Sequence, residues 1–169
     1  MNPTILSMFK ANYLTRLLKN NFNSNIVCLG IQLVEIVEFL ETFLPSIVWY
    51  GSDISIISNT NNLFVDDKFS DYIPIKIGSS YELKKQSSKV FQFLSGVFIA
   101  SKNEIFWPKT AQIYTENLTF RPLEINDIVL EIRAFDTTYF EIYSDNIELI
   151  NIISKNYKSE IEECKIRHK

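Results

Sequence analysis

The chain has one histidine, His168, which is the penultimate of its 169 residues and stands in a charged tail. Catalysis by a Ser/His/Asp or Cys/His set in a protected cleft is thereby excluded, because each needs an imidazole beside the nucleophile. Glycine occurs only at positions 30, 51, 78 and 96, so neither a dinucleotide fingerprint nor a phosphate loop can be written. The two cysteines, Cys28 in an apolar run and Cys164 in the charged tail, give no disulfide framework, and a cytoplasmic protein is expected. Four glycines and five prolines rule out collagen-like and low-complexity architectures.

Long apolar runs are missing too. The richest, 26–37, is interrupted by Gln32 and Glu35, short of the roughly 18 apolar residues that a membrane-spanning helix needs. No basic region precedes the apolar positions of the first fourteen residues, so no export signal is expected. Asn117-Leu118-Thr119 fits a glycosylation acceptor and is read as a polar break before a strand.

What is present is the material of an ordinary core: 46% hydrophobic residues, 14% aromatic, 22% charged and a net charge of -3. Apolar positions at helical spacing predict helices over 4–20 (Ile5, Phe9, Tyr13, Leu17), 31–44, 80–94 and 145–157. Ser79 with Glu82, and Asp145 with Glu148, stand at capping-box spacing. Strands are expected at 47–50 and 54–57 around a Gly51-Ser52-Asp53 turn, and at 72–77, where Pro74 marks an edge. A hairpin is expected over 97–100 and 105–107, with short strands at 113–114 and 118–120. The fold class is α+β: a mainly antiparallel sheet with about four packed helices in a single domain, 1–157. Residues 158–169 form a charged tail that extends the last helix or frays.

The strands 128–135 and 139–143 carry the candidate site. Their core positions are all even-numbered, so paired residues sum to an even number and a two-residue turn is excluded. A loop of Asp136-Thr137-Thr138 sets Arg133 opposite Glu141 and Phe135 opposite Tyr139. The odd-numbered residues Glu131, Arg133, Phe135, Tyr139, Glu141 and Tyr143 then share the outer face. Between 116 and 148 eight acids stand against two arginines, a local net of -6, whereas 76–109 has a net of +4. An acidic face with aromatics suits contact with a basic protein, whereas the acidic total opposes nucleic acid. The expectation is a non-enzymatic protein-binding domain, concretely a small bacterial immunity or antitoxin-type inhibitor of a basic toxin, with no cofactor.

The competing class is a carboxylate- and metal-dependent hydrolase, with Asp66, Asp67, Asp71 and Glu82 as candidates and Lys84 beside them. Glu82 has a better local role as a helix cap. Glu160, Cys164 and His168 share a stripe if the tail is helical. Eight residues of helix rise about 12 Å while zinc ligands lie about 2 Å from the ion, so no metal site is expected there.

Overall fold

In a computed structural model the described residues are 11–116 and 127–164, together with the backbone at 8–9 and 121–122. The start of the first expected helix, the acceptor at 117–119, the strand at 118–120, Glu124 and residues 165–169 with His168 lie outside them. The strands are β1 (Met8–Phe9), β2 (Tyr13–Leu17), β3 (Val48–Ile57), β4 (Ile75–Ser79), β5 (Gln92–Ser101), β6 (Arg121–Pro122), β7 (Ile128–Phe135), β8 (Tyr139–Ser144) and β9 (Ile161–Glu163). The helices are α1 (Lys19–Phe22), α2 (Gly30–Glu41), α3 (Ser80–Ser87) and α4 (Ile147–Tyr157). Seven strands form one antiparallel sheet in the order β4-β3-β5-β7-β8-β2-β9, while β1 and β6 pair separately. The α+β class, with a mainly antiparallel sheet and four helices, is therefore observed.

Strand alternation sorts the side chains into two cores. Leu17, Trp49, Phe98, Leu130, Ile132, Phe140 and Ile142 project to one face, where Leu33, Ile36, Val37 and Leu40 of α2 and Ile150 and Ile153 of α4 close over them. Each such side chain contributes about 1.5–3 kcal/mol through its removal from water. On the opposite face Tyr50, Val97, Ile99 and Ile128 pack with Ile113, Ile105 and Trp107 from the segment after β5. That segment is a strap rather than the returning strand expected at 105–107. Its polar ties to the sheet place it: the Ser52 hydroxyl donates to the Ile113 carbonyl at 2.7 Å, and the Ile105 amide donates to Tyr50 Oη at 2.8 Å.

Several expected elements change type. The helix over 4–20 is replaced, where described, by β1, β2 and the single turn of α1. Tyr13 and Leu17 are four residues apart, a spacing common to periods of 3.6 and 2, and the pairs Leu17↔Phe140 and Thr15↔Ile142 decide for the strand. Gly51-Ser52-Asp53 does not turn the chain; β3 runs through it with a bulge at Asp53, whose φ is +50°. The helix expected to reach 94 ends at Ser87, and β5 begins at Gln92. Residues 113–114 lie in the strap and form no strand. The tail neither extends α4 nor frays over its described part. After Lys158 turns with φ +54°, Ile161–Glu163 pairs with Tyr13–Thr15 as the sheet's outermost strand.

Other local readings hold. β4 is an edge strand preceded by Pro74, and the Ser79/Glu82 capping box opens α3. The β7–β8 register is the expected one, Arg133↔Glu141 and Phe135↔Tyr139. Positive φ falls on Asp136 and Thr137, the two central residues of the turn closed by Thr138 N–H on the Phe135 carbonyl, leaving Thr138 unstrained.

Candidate protein-binding site

The six odd-numbered residues do share a face, but only part of it is open. Glu131 and Arg133 are 1% exposed and Glu141 4%, whereas Phe135, Tyr139 and Tyr143 are half-buried. This corrects the expected exposed acidic face. The strap covers β5 and β7 on this side, and β2, read from sequence as a helix, brings Arg16 alongside Glu141.

Three rungs cross the face. In the middle rung Arg16, Glu141 and Arg133 stand side by side on β2, β8 and β7. Arg16 donates to Glu141 Oε1 through Nε at 3.0 Å and Nη2 at 2.5 Å, and through Nη1 to Glu162 Oε1 at 3.2 Å. In the next rung, Tyr143 Oη donates to Glu141 Oε2 and Arg133 Nε donates to Glu131 Oε1. The Arg133 guanidinium also lies 5.2 Å from the Tyr143 ring centre and donates through Nη1 to the Thr115 carbonyl at 2.9 Å. Thr115 is fixed in turn: its amide donates to Asp53 Oδ2 at 2.8 Å, and its hydroxyl accepts from the Gly96 amide at 3.1 Å. The Asp53 bulge thus presents a carboxylate that anchors the strap.

Burial has electrostatic consequences in this row. Loss of water pushes the Arg133 pKa below its ordinary value, against the charges of Tyr143, Glu141 and Asp53. For Arg16, burial acts the same way but is outweighed by the Glu141 and Glu162 carboxylates, and its pKa rises. Burial raises the Tyr143 hydroxyl, with the Glu141 charge acting in the same direction. Two carboxylates of the acidic stretch, Glu131 and Glu141, are therefore buried and matched by guanidinium groups, and neither presents its charge at the surface.

The third rung reaches the surface. Phe135 and Tyr139 stack at 5.0 Å with 28° between their planes, and the Arg16 guanidinium lies 4.9 Å from the Tyr139 ring centre. Leu18 follows the Leu17–Phe140 pair to the level of Tyr139, and Leu94 is the extra residue of a β5 bulge beside Ser95, which pairs with Phe135. Both leucines are exposed, as is Asp136 at the hairpin tip. Arg16, Leu18 and Leu94 were missed because each sits in a segment read as helix. The surplus of acid on this face, Glu131 and Glu141 against Arg133 alone, was the one signal that a cation had to arrive from another strand.

The carboxylates of the competing class have local duties. Glu82 accepts from the Ser79 amide at 2.8 Å and from its hydroxyl, which holds its carboxyl below the usual range. Asp66 caps a turn by accepting from the Lys68 amide at 3.1 Å, and Asp67 opens the short 3-10 turn Asp67–Phe69. Asp71 contributes its backbone carbonyl to the Asp53 amide at 2.8 Å. Among the described residues no three His, Cys, Asp or Glu side chains group as metal ligands, and no helix is long and apolar enough to cross a membrane. Glu160 and Cys164 flank β9 instead of lying along a helix. No protein-family model, curated protein or solved structure matches this chain.

Proposed function

We propose that the chain is a non-enzymatic protein-binding module whose contact centres on Tyr139, with Phe135, Arg16, Leu18 and Leu94 around it. The observation that carries this reading is the half-exposed Phe135–Tyr139 stack with Arg16 against it, set on a buried ionic row. Tyrosine and arginine dominate the energetics of protein contacts, and anchors already held in place lose little freedom on binding. Arg16 is held by two carboxylates and the aromatic pair by stacking, so the surface is organised before any partner arrives. Exposed Asp136 and Glu162 at the margin favour a cationic partner. An immunity or antitoxin-type inhibitor, which acts by covering another protein without chemistry of its own, is the concrete form of this proposal.

The test places a photo-crosslinking amino acid at Tyr139 and, as a control, at exposed Ile152 on α4. A partner captured from the source cell only at position 139 should reconstitute with the purified chain. Tyr139→Ala should then weaken that complex by roughly tenfold or more, the loss expected of a binding anchor. A reconstituted complex indifferent to both Tyr139→Ala and Leu94→Asp removes this site.

A further inference from the structure

A second exposed surface lies where α2 begins and where β3 ends and β5 starts. Ile26, Ile31, Ile57 and Phe91 are 44%, 55%, 44% and 56% exposed. Their backbones are tied together: the Gly30 amide donates to the Phe91 carbonyl at 3.3 Å, the Phe91 amide to the Ile57 carbonyl at 2.9 Å, and the Phe93 amide to the Cys28 carbonyl at 2.7 Å. The Gln92 side chain adds a bond to the Val27 carbonyl at 2.9 Å. These four side chains therefore project from a fixed base.

The three segments that build the patch, 26–32, 54–58 and 90–95, contain no charged residue, in a chain that is 22% charged. Depletion of charge around large apolar side chains is the compositional mark of an interface core, most pronounced between identical subunits. Two charges stand at the margin, Lys89 two residues before Phe91 and Glu35 one helical turn after Ile31. Both are exposed, and neither makes an ion pair among the described residues.

We propose that this patch joins two copies of the chain about a two-fold axis. Across such an axis the same surface meets itself, so a patch bearing charge of one sign repels its copy. Here the centre is neutral and the marginal charges are opposite, so Lys89 of each copy meets Glu35 of the other. Four side chains make a smaller contact than the roughly 800 Å² per partner of a standard stable interface, so the dimer is a weak, concentration-dependent one. The patch adjoins the Tyr139 contact, since Cys28 in its first segment donates to the Tyr139 carbonyl and Leu94 lies in its third, but Ile31, Lys89 and Glu35 stand outside that contact, so the variants below test the dimer alone.

Sedimentation velocity of the full chain from roughly 5 to 500 µM, the range in which a small interface associates, provides the test. The wild type should move from monomer to dimer and stop there. Ile31→Asp, at an exposed helix position, should leave a folded monomer by circular dichroism. K89E alone and E35K alone should each weaken the dimer several-fold, and an equimolar mixture of the two should restore it, because every cross-axis pair is then of opposite sign. A wild type that stays monomeric, grows past the dimer, or dimerises equally well with Ile31→Asp overturns the proposal. So does a K89E and E35K mixture no better associated than its components.

Discussion

Arg133 stands directly opposite Glu141 across β7 and β8, yet its Nε is bonded to Glu131, two residues away on its own strand, while Glu141 holds Arg16 from β2. Register decides which residues face one another, and burial decides that the charges they bear must be matched. The row runs Arg16, Glu141, Arg133, Glu131, alternating in sign, and the two central strands contribute one acid more than they can match between themselves. β2 makes up the difference.

Breaking this row at its most buried point should be costly. Arg133→Met leaves the Glu131 carboxylate in the interior without that cation and removes the Nη1 bond to the strap, with an expected loss of about 3–5 kcal/mol in urea unfolding. The double variant Arg133→Met with Glu131→Leu removes both charges and should recover most of that loss, since a well-packed apolar pair replaces a buried ion pair at little net cost. A double variant as unstable as the single one would place the effect in packing instead of charge.

Gly30 is fixed by close approach. A Cβ there would lie 2.1 Å from the Ser87 carbonyl oxygen and 2.2 Å from that of Val90, both backbone atoms. Gly30→Ala should therefore destabilise by about 3 kcal/mol or more, despite the better helix propensity of alanine. At Gly96 the nearest atoms are on the Phe98 ring, at 3.0 Å, a side-chain contact relieved by a shift of a few tenths of an ångström. Gly96→Ala should cost only about 1 kcal/mol. Equal losses in thermal unfolding would contradict the backbone-clash account.

The cap of α4 separates two adjacent candidates. Asn146 Oδ1 accepts from the Glu148 and Leu149 amides at 3.0 and 3.2 Å, whereas Asp145 accepts from the Asn12 amide just before β2, also at 3.0 Å. Asn146→Ala should lower stability by about 1 kcal/mol and speed hydrogen exchange in the first turn of α4. Asp145→Ala should leave that turn protected. Faster exchange at Glu148 and Leu149 in the Asp145 variant would restore the capping role that sequence spacing gave it.

What the sequence revealed and what it hid divide along one line. β7 and β8 were legible, register included, because their alternation is strict and parity leaves few pairings. α2, α4 and the edge position of β4 were legible from apolar stripes and Pro74, although the cap of α4 fell on Asn146 and not on Asp145. β2 was not, because Tyr13, Leu17 and their neighbours satisfy both periods and only the distant partners Phe140 and Ile142 decide between them. Burial of Glu131 and Arg133 was equally hidden, since the covering strap carries no regular pattern; Ile113 and Thr115 hold it through single side chains. Parity therefore identified the face without saying what lay on it.

Cys28 links the hairpin tip to the start of α2, and its titration should be visible in stability. Its φ is +62°, its side chain is fully buried, and its Sγ donates to the Tyr139 carbonyl at 3.2 Å. Burial pushes the thiol pKa from 9.0 to about 12, against the backbone amides of the hairpin, which favour the thiolate. A folded-state pKa above the unfolded one means that the unfolded chain releases the proton first. The contribution of the neutral thiol is fully present below pH 9, then declines as pH rises toward 12, by at most about 1.4 kcal/mol per pH unit. Tyr157, raised by burial to about 12, adds a similar decline but is common to both proteins in a comparison of wild type with Cys28→Ala. The stability difference between them should thus be constant from pH 7 to 8.5 and shrink above pH 9. Urea unfolding at half-unit steps of pH measures it. A difference that stays flat to pH 10.5, while both proteins remain folded, would mean that the thiol is solvated and that the hairpin tip is not seated on Cys28.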